Sequence, residues 1–314
     1  MDRLVRERVR RFLPERFIEL ARALRSRIRH KRQRITRSEV DRARIVRDLK
    51  KIGIKEGDIL LVHSSLKSIG YVKGGADTVI DAFMDVLGPN GTLVMPSFSL
   101  TGAMSATLES DSIFDPDITP ATVGRIPETF RQRKGGFRSV HPTHSLYALG
   151  PKARWITEGH DKCRTNFGDG TPYHKIMESD GKILGLGIDL GPVTFYHVIE
   201  DMVDDFPVAV YLDKEYEARV IDNDGVEKVM TVKAHNPEIS KIRIDKEEGI
   251  WIREFFTKYL TDNGFLKTGV VGEARTWVIR AIDLFETQKR FLEENITIYT
   301  TEEEHSGKLP EESN

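Results

Sequence analysis

Apolar positions recur at two different periods along this 314-residue chain, and each change of period marks an element. Arg37 to Lys51 carries Val40, Ile45, Val46 and Leu49 on one helical face and stops at Gly53. Ile59-Leu-Leu-Val62 is an uninterrupted apolar run, the pattern of a buried strand. Helical spacing returns over Ala76 to Leu87 through Val79, Ile80, Phe83, Met84 and Leu87, and Gly88-Pro-Asn-Gly91 is a turn before a strand at Thr92 to Met95. Strand, loop, helix, strand predicts a parallel crossover, which places functional loops at the carboxyl ends of the strands. Ser145 to Leu149 and Lys182 to Leu186 continue the pattern as strands followed by glycine-containing loops. Val208 to Leu212, Glu217 to Ile221 and Val229 to Val232 read as short strands around Asp222-Asn-Asp-Gly225, predicting a small antiparallel excursion on the main sheet. Helices are predicted at Ile250 to Leu260 and Gly272 to Glu293. The expected fold is therefore α/β, with a largely parallel central sheet flanked by helices. Its domain spans residues 36 to 300, and a polar tail over 301 to 314 is expected to be disordered.

The first 35 residues break this pattern. Leu4, Val5, Val9, Phe12, Leu13, Phe17, Ile18, Leu20, Leu24 and Ile28 fall at helical spacings among arginines, and Pro14 interrupts them, predicting a basic extension of two amphipathic helices. Residues 1 to 40 hold fourteen Lys or Arg against five Asp or Glu, a net +9. With −1 for the whole chain, −10 remains for residues 41 to 314. Two readings stay open for the extension: contact with an anionic membrane surface, or a solvated segment packing on the body or on a second subunit of a homodimer. The acidic body favours cationic small molecules as partners and argues against nucleic acid. No apolar run approaches the length of a membrane span, and the N-terminus lacks the pattern of a secretory signal, so a cytoplasmic location is expected. A lone Cys163 excludes an internal disulfide framework and a thiolate zinc cluster.

Three loops carry candidate chemistry. His63-Ser-Ser-Leu-Lys-Ser-Ile-Gly70, running on to Gly74 and Gly75, leaves a strand and enters a helix. Its glycines, hydroxyls and lysines (Lys67, Lys73) suit either phosphate binding or an ordinary connection. His141-Pro-Thr-His-Ser145 could offer histidines to a metal or use them to brace the loop, and no third ligand stands at a recognisable spacing. The third loop follows Leu186 and enters a helical segment with Thr194, His197 and Glu200 three apart. That spacing puts an imidazole beside a carboxylate able to fix its tautomer and support the imidazolium.

Taken together, these stretches resemble the aminoglycoside 3-N-acetyltransferase family. The likeness rests on Leu61-Val-His-Ser-Ser-Leu with Gly70 and Gly74, Met95-Pro-Ser-Phe98, Phe114-Asp-Pro116, Thr119-Pro120, Val123-Gly124, Pro127-Glu128, Arg138-Ser-Val-His-Pro-Thr-His-Ser145, Gly170-Thr-Pro172, Thr194-Phe-Tyr-His-Val-Ile-Glu200 and Gly272-Glu-Ala274, in that order. It extends from about Val40 to Leu292. The resemblance implies acetyl-CoA as cosubstrate, no metal, and direct transfer to an amine of an aminoglycoside or related amino sugar. In that picture Ser64, Ser65, Leu66, Lys67, Gly70 and Gly74 hold CoA, His197 is the general base, Glu200 orients it, and Thr194 is a candidate oxyanion donor. His144 either meets the substrate or supports its loop, and Asp201 and Asp204 either attract a cationic acceptor or form a solvated acidic face. Readings kept beside this one are a surface-polysaccharide amino-sugar acceptor, a ping-pong enzyme using Cys163, a metal-dependent hydrolase built on His141, His144, His160 or His174, and a noncatalytic binding protein.

Overall fold

A computed structural model describes residues 39–100 and 102–306, so the basic N-terminal extension lies outside the described residues. A seven-stranded sheet organises the chain, in the order β10 (Lys267–Val271), β11 (Ala274–Arg280), β7 (Lys182–Leu186), β2 (Ile59–Ser64), β4 (Thr92–Pro96), β6 (Leu146–Leu149) and β5 (Phe137–Arg138). After β1 (Glu39–Val40), Asp41 caps helix α1 (Arg42–Lys51) by accepting a 2.7 Å hydrogen bond from the Arg44 amide. Strand β2 (Ile59–Ser64), the short β3 (Tyr71–Val72), helix α2 (Ala76–Leu87) and β4 (Thr92–Pro96) make the parallel crossover that the sequence predicts. Next come α3 (Met104–Leu108), α4 (Arg125–Arg131), β5 (Phe137–Arg138), β6 (Leu146–Leu149), α5 (Ala153–Thr157), α6 (Pro172–Glu178) and β7 (Lys182–Leu186). A tight helical turn over Thr194–His197 leads into α7 (Val198–Met202), then β8 (Tyr211–Ile221) and β9 (Glu227–His235). The described chain ends with α8 (Ile250–Asp262), β10 (Lys267–Val271), β11 (Ala274–Arg280), α9 (Ala281–Glu293) and α10 (Glu302–Ser306).

Side-chain alternation along the central strands divides the core into two layers. Ile59, Leu61 and Ile183 face a layer completed by Tyr173, Phe256, Leu284 and Phe291, whereas Leu60, Val62, Leu184 and Leu186 face Ile45, Leu49, Val79 and Phe83. Each such side chain, fully removed from water, contributes about 1.5–3 kcal/mol.

The sheet is mixed rather than largely parallel. Only β2–β4 and β2–β7 pair in parallel, while β4–β6, β5–β6, β7–β11 and β10–β11 are antiparallel. For two of these pairs the reason is local: β5–β6 and β10–β11 are hairpins, and a hairpin returns its second strand against its first. One consequence is functional. Because Leu146 pairs with Pro96, the loop that precedes β6 lies at the same rim as the carboxyl ends of β2, β4 and β7.

Three further expectations change. The segment Ala274–Arg280, expected as helix, is a strand; Thr276-Trp-Val-Ile279 is β-branched and aromatic, and Gly272 turns the hairpin at φ +63°. The predicted excursion forms its own two-stranded sheet instead of joining the main one, closing a separate core of Tyr216, Val220 and Val232 against Met104 and Leu108. At the tail, Glu302–Ser306 is a helical turn whose His305 ring stacks on Trp251 at 5.1 Å, and 307–314 lie outside the described residues. Among the described residues no helix is long and apolar enough to cross a membrane.

Candidate active site

The chain leaves β7 through Gly187, whose φ of +70° and closeness to Ser68 leave no room for a side chain. It then winds into the Thr194–His197 turn. Buried Val193, Phe195, Tyr196, Val198 and Ile199 anchor this segment, and the Gln288 side chain of α9 donates to the Tyr196 carbonyl at 2.8 Å. The turn is thus a rigid mount, and it presents His197 and Glu200.

His197 Nδ1 lies 2.8 Å from Glu200 Oε1, and Tyr299 Oη donates to the same oxygen at 2.8 Å. His235 Nε2, at the end of β9, stands 3.5 Å from Glu200 Oε2. The bond from Nδ1–H to the carboxylate fixes the tautomer, leaving the Nε2 lone pair toward the cleft, where Arg243 Nη1 approaches at 3.4 Å. Burial acts on both partners. It pushes the Glu200 carboxyl up to about 7, against the pull of His235, Tyr299 and Arg243, and it holds the His197 imidazole well below its usual range, with the Arg243 charge adding to the shift.

Around this pair stand further rings. Phe167 sits 5.1 Å from His197 and 4.8 Å from His144, and His235 lies 4.8 Å from His197. Burial lowers His144 strongly and takes His235 down to about 3, so all three imidazoles are neutral at pH 7. They border an open cleft of about 650 Å³ lined by His144, Thr194, His197, His235 and Arg243, together with Phe98 and Met104. The Thr194 hydroxyl is buried, and the Tyr173 hydroxyl is its polar neighbour.

The structure does not gather every predicted residue here. Ser64, Ser65 and Leu66 end β2 and begin the next turn beside β7: the Ser65 amide donates to Leu186 O at 2.9 Å, and Ser68 Oγ bonds Ser65 Oγ at 3.1 Å. Lys67 is exposed, and Gly70 (φ +106°) and Gly74 (φ +83°) shape turns against Glu273 and Thr78. None of these lines the cleft. Asp201 is occupied structurally, accepting from Tyr211 Oη at 2.7 Å and from the Phe167 amide at 2.9 Å, and Asp204 is exposed away from the cleft.

The histidines considered for a metal do not converge on a common ligand site among the described residues. His141 and His160 stack at 4.4 Å; His141 Nδ1 accepts from the Thr143 and His144 amides of its own loop, His160 Nδ1 meets Ser139 Oγ of that same loop at 3.0 Å, and His174 pairs with Asp169 at 3.1 Å. Among the described residues the one group able to ligate is His197, Glu200 and His235, with atoms within 4.8 Å of one another. A fixed guanidinium 3.4 Å from His197 Nε2 and the prior use of Glu200 Oε1 by two donors both oppose a divalent cation there.

His235, Arg243 and Tyr299 were not singled out from the sequence. His235 ends an alternating strand, and Tyr299 closes the alternating run Ile296-Thr-Ile-Tyr, but neither has a motif around it.

A carboxylate-held imidazole bordering an open cleft, at the carboxyl rim of an α/β sheet, is the constellation of an enzyme that moves protons. The chain belongs to the aminoglycoside 3-N-acetyltransferase family, whose model matches residues 61–293, and it is accordingly an acyltransferase. Aminoglycoside N(3)-acetyltransferase III of Salmonella sp is 31% identical over 264 residues, which is 80% of this chain and 91% of that protein. Among solved structures, AAC-IIIb in a binary complex with CoASH aligns with a TM-score of 0.70 at 26% identity, covering 83% of this chain and 98% of its own. A mutant of aminoglycoside acetyltransferase AAC(3)-IVa in complex with apramycin aligns at 0.65 and 26% identity, covering 82% and 94%.

Proposed function

We propose that this chain transfers acetyl from acetyl-CoA directly to an amine of an aminoglycoside or related amino sugar, with His197 as general base. The observation that carries the reading is the 2.8 Å bond from His197 Nδ1 to Glu200 while Nε2 faces the cleft. Similarity to a protein solved with CoASH supports the donor, and similarity to one solved with apramycin supports an amine acceptor.

The chemistry follows from the geometry. A neutral amine attacks the thioester carbonyl carbon, and its proton passes to His197 Nε2 as the C–N bond forms. Glu200 stabilises the resulting imidazolium through Nδ1–H, and burial of the ring keeps the lone pair available beforehand. The carbonyl oxygen becomes an oxyanion, for which the hydroxyl of Thr194, a residue lining the cleft, is the candidate donor. Collapse of the adduct breaks the C–S bond, and the CoA sulfur leaves with the proton that the imidazolium returns. Ser64, Ser65, Leu66, Lys67, Gly70 and Gly74 are assigned to CoA away from the thioester, consistent with their position on the rim outside the cleft. The structure gives no support to Cys163 as an acyl carrier: burial raises its thiol pKa, its sulfur points at the Gly159 and Asp169 carbonyls, and it does not line the cleft.

The test is thiol release from acetyl-CoA with aminoglycosides and amino sugars, comparing wild type with His197→Ala. Acceptor-dependent release abolished by the substitution is expected. Turnover that survives it would sink the assignment of the base.

A further inference from the structure

Resting on the acyl-transfer reading above, we infer that the acceptor is an amino sugar bearing an anionic group, phosphate or carboxylate, on the ring that carries the reacting amine, and that Arg243 selects it.

The charge of the cleft is the starting point. Residues 41 to 314 carry −10 in total, yet among the described residues the cleft lining sets three cations, Lys241, Arg243 and Lys246, against two carboxylates, Asp245 and Glu248. A pocket built for a polycation should be acidic. The two aspartates expected to attract such a ligand, Asp201 and Asp204, do not line this one.

Arg243 is placed by construction. Its Nε donates to Asp245 Oδ1 at 2.5 Å and its Nη2 to Oδ2 at 3.0 Å, which fixes the fork and turns Nη1 toward His197 Nε2. The backbone beneath it is tied down: the Ile244 amide donates to Ile298 O at 2.9 Å, and Arg253 bonds the Ile244 carbonyl at 2.9 Å while pairing with Asp189. Asp245 also serves Lys246 at 2.9 Å, so two cations share that one carboxylate. An amine within hydrogen-bond reach of Nε2 therefore sits beside a guanidinium. Further ammonium groups on a polycation would be repelled, whereas a neighbouring phosphate or carboxylate would gain a charge-assisted bond.

The phosphates of CoA do not account for this guanidinium. Reaction requires the thioester at His197, and the pantetheine arm then holds those phosphates far from a residue that touches Nε2.

The experiment compares kcat/KM for glucosamine, glucosamine 1-phosphate, 2-amino-2-deoxyglucuronic acid and tobramycin, in wild type, Arg243→Gln and Arg243→Lys. Wild type is expected to prefer an anionic acceptor, and the two anionic arms tell phosphate from carboxylate. In Arg243→Gln the ratio of anionic to neutral acceptor should fall at least about tenfold, the size of one charge-assisted hydrogen bond, with the KM for acetyl-CoA unchanged and partial recovery in Arg243→Lys. Using a ratio cancels any general effect on His197. Preference for tobramycin, an unchanged ratio, or a raised KM for acetyl-CoA would each overturn the inference. Should no amine turn over, calorimetric titration still decides it: wild type binding glucosamine 1-phosphate more tightly than glucosamine, with the difference lost in Arg243→Gln, upholds the anion site, and equal affinities refute it.

Discussion

Replacing Glu200 with glutamine keeps the shape of the site and removes one charge. The carboxylate oxygen that holds His197 Nδ1 at 2.8 Å also accepts from Tyr299, and the glutamine carbonyl can take over both bonds. What is lost is the attraction between a carboxylate and the imidazolium forming in the transition state. At about 4 Å and an effective dielectric of ~20, a full charge pair is worth about 4 kcal/mol. For a proton half transferred, roughly 2 kcal/mol remains, so kcat should fall ~30-fold at saturating acetyl-CoA and acceptor, with little change in KM. The pH dependence gives a second readout. With the Glu200 carboxyl pushed up to about 7, the pair lacks its negative charge below that pH, and wild-type kcat/KM should rise as pH increases through about 7. In Glu200→Gln that limb should vanish, because the buried His197 alone titrates well below its ordinary value. Thiol release followed from pH 5.5 to 8.5 measures both. A variant within threefold of wild type that keeps its limb near 7 would refute the pairing argument.

Tyr299→Phe should lower kcat about tenfold at pH 7, the size of a lost charge-assisted bond, and shift the limb upward, since the tyrosine helps hold the Glu200 carboxyl down. Burial lowers His63 to about 4 and His141 and His235 to about 3, whereas the unfolded chain takes up these protons near pH 6.5. Their contribution is complete above about 6.5 and is lost as pH falls toward the folded values, so Tm should drop steeply between pH 6.5 and 4, and a flat melting profile would contradict this. Gly185→Ala puts a methyl 2.1 Å from the Trp277 ring and should cost about 1–3 kcal/mol by overpacking, read as a lower midpoint in urea.

Much of this fold is legible in local patterns. Ala76–Leu87 is helical with the bounds its spacing predicts, and Lys182–Leu186 is a strand as read, because in both cases apolar periodicity coincides with burial. Direction is not local. Nothing within Leu146–Leu149 states that it runs against β4; that is decided only when the strand docks between β4 and β5. Trp277 illustrates another limit, since its helical alternative is rejected by the pairing of β11 with β7 and by the space above Gly185 that its ring fills. In the site, His197 and Glu200 are three apart and readable as a pair. His235 and Tyr299 reach Glu200 from 35 and 99 positions away, and such contacts exist only once the hairpin and the end of the chain have docked.

The bond from Tyr299 to Glu200 also bears on how the enzyme comes into being. Domains form from the N-terminal side during synthesis. A nascent chain that has emerged as far as Glu293 contains every strand of the sheet and the whole His197 turn, yet its key carboxylate still lacks the tyrosine that closes it off, and the Ile244 amide lacks the Ile298 carbonyl that pins the segment carrying Arg243. Folding of the scaffold and maturation of the reactive pair are thus separate events in time, the second waiting on a handful of residues translated after the architecture is complete.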